Sequence, residues 1–483
     1  MKNSADVIVI GSGLGGLECA HILSRQGLHV LVLERQQQPG GCMQSYVRGG
    51  LRLDTGLHYV GALAEGQSLH AAFRDLGLLR LPWRRLDAEG FDVVHIADES
   101  FPFAEGFDAF AHILAQRFPH ERVALQQYVD AMQQVDFVAG SNVNAYDYLC
   151  GLFHDPLLIN VLGGTSLKQE LRRETLPWFS FAHLNSGFIE SSWRLCGDGG
   201  MLVQSLVSDI EQQGGEVCCG SAVIELVEHD GQLVAARCAN GETYTARTFI
   251  SDIHPQLLLP LVQNSSMIKE TFRRRIRALQ NTRGMFTASL VLKPNTVPYI
   301  NHNLYLYDEP NVWTQSELDG TTVGGVMVSS RVPNHPDSAF AEQVDLLTPM
   351  SWSLCQPYKG TEPGHRGAAY VEMKEQWAAA CIERAERAIP ALRGNVLKCH
   401  TSTPLTYASY NASPEGTAYG VRKDYANPMM TYLSPRTPIS NLLLTGQNIM
   451  LHGIQGVTMA AYETCNILSK NINCKSSIVK LSN

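Results

Sequence analysis

Charge is scarce in this chain. Charged residues fill 17% of its 483 positions, against roughly 25% in ordinary soluble proteins. The shortage implies a large buried interior or a surface that meets lipid. The sign of the balance matters too. A formal net charge of −8 excludes nucleic acid as the main partner. No uninterrupted apolar run approaches the ~18 residues of a membrane-spanning helix. The twelve cysteines contain no C-x-x-C pair, which argues against a zinc site or a disulfide framework and leaves mostly buried, reduced thiols. No metal is expected. No basic and apolar leader precedes Asp6. The expectation is a cytoplasmic protein, at most peripheral on the inner face of a membrane. Internal repeats and low-complexity segments are also lacking.

What is present is concentrated at the start. Asp6–Ile10 is a short apolar run, rich in β-branched residues and bounded by glycine, which predicts a buried parallel strand. Gly11-Ser-Gly13-Leu14-Gly15-Gly16 follows at once. Its glycines permit a tight turn, close approach to a pyrophosphate and close helix–strand packing. Leu17–Gln26 is predicted as a helix whose N-terminus faces the phosphates. His29–Leu33 is the second strand, and Glu34 at its end is placed to hold an adenosine ribose hydroxyl. Arg35 and Pro39-Gly40-Gly41-Cys42-Met43 come next. The extra glycine pair resembles the segment that extends the diphosphate cradle in FAD proteins of the glutathione-reductase and amine-oxidase type. The resemblance favours FAD over NAD.

At this length two joined domains are expected. The fold class is α/β: a Rossmann-like FAD-binding domain with an interleaved α+β substrate domain. The FAD-binding parts are assigned to residues 1–70, 196–265 and 401–483, and the substrate parts to 71–195 and 266–400. From Ala71 to about Tyr148 the pattern is helical, with helices at Phe107–Phe118 and Glu121–Val138. Ala145–Arg194 is rich in aromatics, which form either a core or an apolar tunnel. Gly231–Arg237 and Glu242–Arg247 predict a hairpin, and Thr248–Asp252 a further strand. Arg273, Arg274, Arg275 and Arg277 share one helical stretch, either a solvated face or a basic surface for anionic lipid. Asn441–Leu444 is a buried strand, and Gly453-Ile-Gln-Gly456-Val457 opens a helix to about Leu468. The residues after Cys474 read as a mobile tail.

Four separated segments together carry a wider resemblance. They are Gly11–Ser45, Gly199–Val223, Ser251–Pro255, and the pair Leu444–Gln447 with Gly453–Val457. The chain resembles, over nearly its full length, the FAD-dependent oxidoreductases containing phytoene desaturases, carotenoid isomerases and retinol saturases. Asp54-Thr-Gly56-Leu-His58-Tyr59-Val-Gly61 is most similar to the retinol saturase-type members. The motifs and the resemblance assign Gly11, Gly13, Leu14, Gly15, Gly16, Glu34, Arg35, Gly40, Gly41, Cys42, Met43, Asp54, Gly56, Val223, Asp252, Gly446, Gln447, Gly456 and Val457 to the cofactor. Asp54 positions backbone or ribityl groups rather than transferring protons.

The implied function is two-electron chemistry on carbon–carbon double bonds of a long apolar polyene or unsaturated lipid, in the saturating direction. The alternatives are desaturation or cis–trans isomerisation. A flavin amine oxidase and a non-enzymatic flavin-bearing lipid binder are alternatives of other classes. His58, Tyr59 and His452 are the candidate catalytic residues, with His58 as proton donor or substrate-positioning group, because histidine titrates near neutrality. No second G-x-G-x-x-G is present, so no NAD(P) domain is expected and the electron donor is left open.

Overall fold

The computed structural model describes residues 3–48, 51–314, 320–335 and 337–472. The expected tail after Cys474 lies outside the described residues.

β1 (Ser4–Ile10) is buried on both faces along Val7–Ile10, as a central parallel strand must be. It is followed by α1 (Leu14–Arg25) and β2 (Val30–Leu33). β1 pairs parallel with β2, and β2 with Glu216–Cys218. On the other side of β1 lies the strand Thr243–Ser251. Its first residues pair antiparallel with Gln232–Cys238, and its last pair parallel with Leu442–Leu444. The hairpin and the strand expected at Thr248–Asp252 are therefore joined. No turn residue interrupts Thr243–Ser251, so one strand serves both pairings.

Both faces of this sheet are covered. On one face α1 and the helices Gly199–Gln212 and Gly453–Ile472 pack through Leu17, Leu206 and Ala461. Phe73 and Leu76 belong to the same core. On the other face, Pro255–Leu261 and Glu270–Arg277 pack through Leu258 and Ile276.

A second sheet of seven strands stands beside the first. Its order is Val396–Ser402, Gly284–Leu292, Gln343–Met350, Val326–Ser330, Asn303–Tyr307, Asp92–Ile96 and Glu99–Phe103. The stretch read as helical thus also carries a hairpin, Asp92–Phe103, beside the helices Phe107–Arg117 and Arg122–Gln134. Its period-two burial is the strand signal that the longer helical pattern obscured. Along Gly284–Leu292 successive side chains alternate between faces. Phe286, Ala288 and Leu290 meet the helix Ala368–Ala388, while Met285 turns toward the aromatic helices. Those helices hold Tyr128, Phe153, Trp178 and Phe181 as core. Most of the aromatic stretch is therefore interior. Ser192–Leu195 pairs with both Val60–Gly61 and Trp83–Arg85 and stitches the two halves together.

Candidate active site

The strand–turn–helix at the start makes a backbone cradle. Gly11 has φ +94°, a conformation that side-chain-bearing residues rarely adopt. Gly13 caps α1 without any side-chain cap, so the first amides of the helix point into the cavity. Space around them is tight. A Cβ on Gly15 would lie 2.9 Å from Gly446 Cα, and one on Gly41 would lie 3.2 Å from Gly13 Cα. The N-terminal turn and the turn after Leu442–Leu444 are in backbone contact only because these positions are glycine. Glu34, at the end of β2, accepts from Ser12 N (3.0 Å), Ser12 Oγ (2.6 Å) and Gln36 N (2.7 Å). Its carboxylate is thereby fixed on the cavity wall.

Asp252 closes the cradle from the strand beside β1. Burial pushes its carboxyl up to about 7, helped by the charge of Glu34 and opposed by the amides of Gly16 and Gly13.

One cavity of about 460 Å³ starts at this cradle and continues between the two sheets. Gly11, Gly13, Leu14, Gly15, Glu34, Arg35, Gly41, Cys42, Met43, Gly56, Val223, Asp252, Gln447 and Val457 all reach its wall, as do His58, Tyr59 and His452. Gly16, Gly40, Gly446 and Gly456 lie behind the wall, where each meets backbone or a packed side chain. Asp54 does not face the cradle. It accepts from Gly199 N (2.8 Å) and pairs with Arg331 beside a separate small cavity. Two obligatory partners hold it there, so it is removed from the cofactor set. Beyond the cradle the wall turns apolar, with Leu184, Phe188, Met285, Met327 and Leu347.

A polar group is set into this apolar end. Tyr59 Oη donates to Asp92 Oδ2 (2.8 Å) and meets Tyr305 Oη at 2.7 Å. Lys168 Nζ donates to Tyr59 Oη (3.2 Å) and stands 3.6 Å from Asp92 Oδ2. Asn303 Nδ2 donates to Asp92 Oδ1 (2.9 Å), and Arg194 Nη2 donates to Asn303 Oδ1 (2.7 Å). The Lys168 ammonium lies 4.1 Å from the Phe188 ring centre, a cation–π contact. Burial brings Lys168 down to about 8, against the opposing pull of Asp92. Burial and the Asp92 charge hold the Tyr59 phenol well above its ordinary value.

Known proteins agree with this architecture. The sequence family described as an NAD(P)-binding Rossmann-like domain matches residues 9–76. The chain is 22% identical to all-trans-retinol 13,14-reductase of Homo sapiens, over 98% of this chain and 85% of that protein. It is 26% identical to the chloroplastic prolycopene isomerase of Arabidopsis thaliana, over 86% of this chain and 74% of that protein. The chain is thus similar over most of its length both to a reductase and to an isomerase of polyene double bonds. The crystal structure of an oxidoreductase from Methanosarcina mazei has the same fold, with a TM-score of 0.68 at 15% identity, covering 95% of this chain and 100% of that chain. The cradle fits FAD: the glycine turn, the uncapped helix start, the carboxylate after β2 and the second glycine pair all meet along one cavity.

The histidines behave differently from the sequence expectation. Burial lowers His58, and it lowers His452 to about 4. His452 Nε2 donates to the Lys168 carbonyl (3.2 Å). Both imidazoles are therefore neutral near pH 7, and a neutral imidazole is a weak acid. The sequence reading included Tyr59 but missed Lys168, Asp92 and Tyr305. A charged residue inside the apolar run Phe91–Ile96 was the available signal for Asp92. Nothing local marked Lys168.

No helix among the described residues is long and apolar enough to cross a membrane. In the basic stretch, Arg273 donates to the carbonyls of Val262, Gln263, Ser265 and Ile268, and Arg275 to those of Met429, Met430 and Tyr432. Arg274 and Arg277 remain exposed.

Proposed function

We propose that the protein is an FAD-dependent oxidoreductase that saturates a carbon–carbon double bond in a long apolar polyene or unsaturated lipid. The observation that carries this reading is the single cavity joining the dinucleotide cradle to an apolar chamber with one buried ammonium on its wall. FAD, when bound, supplies the two-electron chemistry. Leu184, Phe188, Met285, Met327 and Leu347 exclude water and offer an apolar chain a matching surface. Lys168 holds a proton at Nζ, with a value near 8 that suits an acid working near neutrality. Asp92 keeps that ammonium charged despite burial, and Tyr59 relays or orients it. Saturation places a proton on one of two adjacent carbons, and Lys168–Tyr59 is the donor in this reading. His58 and His452 shape the wall.

Isomerisation is the second reading, because prolycopene isomerase is among the relatives. An amine oxidase is disfavoured by Lys168, since a cationic substrate would meet a buried cation. Peripheral membrane contact through exposed Arg274 and Arg277 belongs to the same proposal, as an apolar substrate partitions into lipid.

The test is to mix anaerobically reduced holoenzyme with all-trans-retinol and longer conjugated polyenes. Flavin reoxidation in step with a shortened polyene chromophore is expected. A changed double-bond geometry with the flavin still reduced would replace saturation by isomerisation. Inertness to every polyene, with reduction of the oxidised enzyme by a soluble amine, would overturn both.

A further inference from the structure

Three buried polar atoms that lack hydrogen-bond partners, Gln169 Oε1, Arg172 Nε and Thr175 Oγ1, belong to residues lining one small cavity of about 20 Å³. Gln169 is only 3% exposed. Buried polar groups are nearly always paired, so three on one wall call for an occupant. The volume exceeds the roughly 10–15 Å³ that a single water needs.

The charge of this wall is unbalanced. Arg172, Arg422 and Lys423 line it, with Glu170 as the one carboxylate among its lining residues. Arg422 occupies Glu170 with two bonds, Nε to Oε2 at 2.7 Å and Nη2 to Oε1 at 3.4 Å. Lys423 is spent on three carbonyls, those of Thr431, Asn448 and Ile449, at 3.0, 3.2 and 3.0 Å. Arg172 Nε stands 3.8 Å from Glu170 Oε2, beyond hydrogen-bond reach. The Arg172 side chain is 28% exposed, so solvent screens part of its charge, while its buried Nε is turned to the cavity; a water there would satisfy the N–H but offer no counter-charge.

The small cavity adjoins the main one. Leu184 and His452 line both. We infer that the substrate is an unsaturated or polyene carboxylic acid, whose carboxylate seats against Arg172, Thr175 and Gln169 while its chain lies in the main cavity. This rests on the polyene reading of that cavity. The Arg172 guanidinium and the Thr175 hydroxyl donate to the carboxylate, and the Gln169 amide completes the seat from its NH₂ side after a rotation that replaces its Nε2 bond to Ser166 Oγ (3.2 Å) by one from the Ser166 hydroxyl to Oε1. A charge-assisted bond of this kind is stronger than its neutral counterpart. The seat fixes which double bond of the chain reaches the Lys168 end of the chamber.

The experiment titrates FAD-loaded protein with cis-parinaric acid, a fluorescent conjugated tetraene acid, and with its methyl ester. The acid is expected to bind at least roughly tenfold more tightly than the ester. Arg172→Gln is expected to bring the two within about twofold without weakening the ester, and Thr175→Val to reduce the preference in part. Equal binding of acid and ester to the wild-type protein would overturn the carboxylate seat and leave the polyene reading intact. So would an acid preference unchanged in both variants. Binding of neither ligand would overturn the polyene reading and the seat with it.

Discussion

The ammonium of Lys168 lies 3.2 Å from the phenol oxygen of Tyr59, with Asp92 behind both. Burial has brought Lys168 to about 8, so its acidic form prevails below that pH and is lost above it. Reoxidation of the reduced enzyme by a polyene is therefore expected to slow as pH rises through about 8. Lys168→Met is expected to cost roughly 10²–10⁴-fold in rate, the usual contribution of a general acid, and to abolish the pH dependence. Stopped-flow flavin absorbance across pH measures both. A wild-type rate in Lys168→Met with normal FAD content would return the donor role to His58, Tyr59 alone or water.

Asp252 links pH to cofactor binding. Its folded-state value of about 7 lies above the ordinary 3.8, so the folded apoprotein favours the protonated form. The stability this provides is full below about pH 4 and is lost as pH rises through about 7. The ionised carboxylate also faces the cradle where the FAD diphosphate binds. FAD is expected to bind about fivefold or more weakly above pH 8 than below pH 6, from a repulsion of at least about 1 kcal/mol. Asp252→Asn is expected to flatten that profile and to raise the melting temperature of the apoprotein above pH 7. Isothermal titration and calorimetry read the two effects separately. A pH-independent FAD affinity in the wild type would refute the link.

Arg274 and Arg277 are exposed on the helix Glu270–Arg277, where Arg277 pairs with Glu270 at 3.0 Å, and the segment tied to that helix carries Met429 and Met430, which are 76% and 42% exposed. Arg275 ties these segments together through the Met429 carbonyl at 2.7 Å. The Arg274→Glu, Arg277→Glu double variant is expected to float less well with anionic vesicles, since each basic residue near such a surface contributes about 1 kcal/mol. Arg273 and Arg275 are left intact because they hold backbone carbonyls. Recovery equal to wild type would exclude these arginines from membrane contact.

The cradle was readable because its chemistry is local. Gly11, Gly13 and Gly16 sit in one turn, and Glu34 follows by a fixed strand length, so spacing alone implied a shared site. Tyr59, His58 and His452 were found near the cavity because they neighbour such motifs. Asp54 neighbours one too, yet it faces Gly199 and Arg331, since proximity in sequence does not fix the direction of a side chain. The basic stretch divides for the same reason: identical arginines serve solvent or carbonyls according to the segment packed against them.

The sequence by itself determined the βαβ unit, which follows from periodicity and from glycine's backbone freedom, and the aromatic richness of Ala145–Arg194, while the FAD-type extension was legible only through its resemblance to known flavoproteins. Only the tertiary structure decided the chemistry at the far end of the cavity. Asp92 lies opposite Asn303, and Val94 opposite Tyr305, in a parallel pairing of strands distant in the chain. Lys168 reaches the same point from the end of a short 3-10 turn, Ser166–Lys168. Strand register across such separations is set by the burial of whole faces. No local pattern encodes it, so the polar group formed by Lys168, Tyr59, Asp92 and Tyr305 exists only in the folded protein.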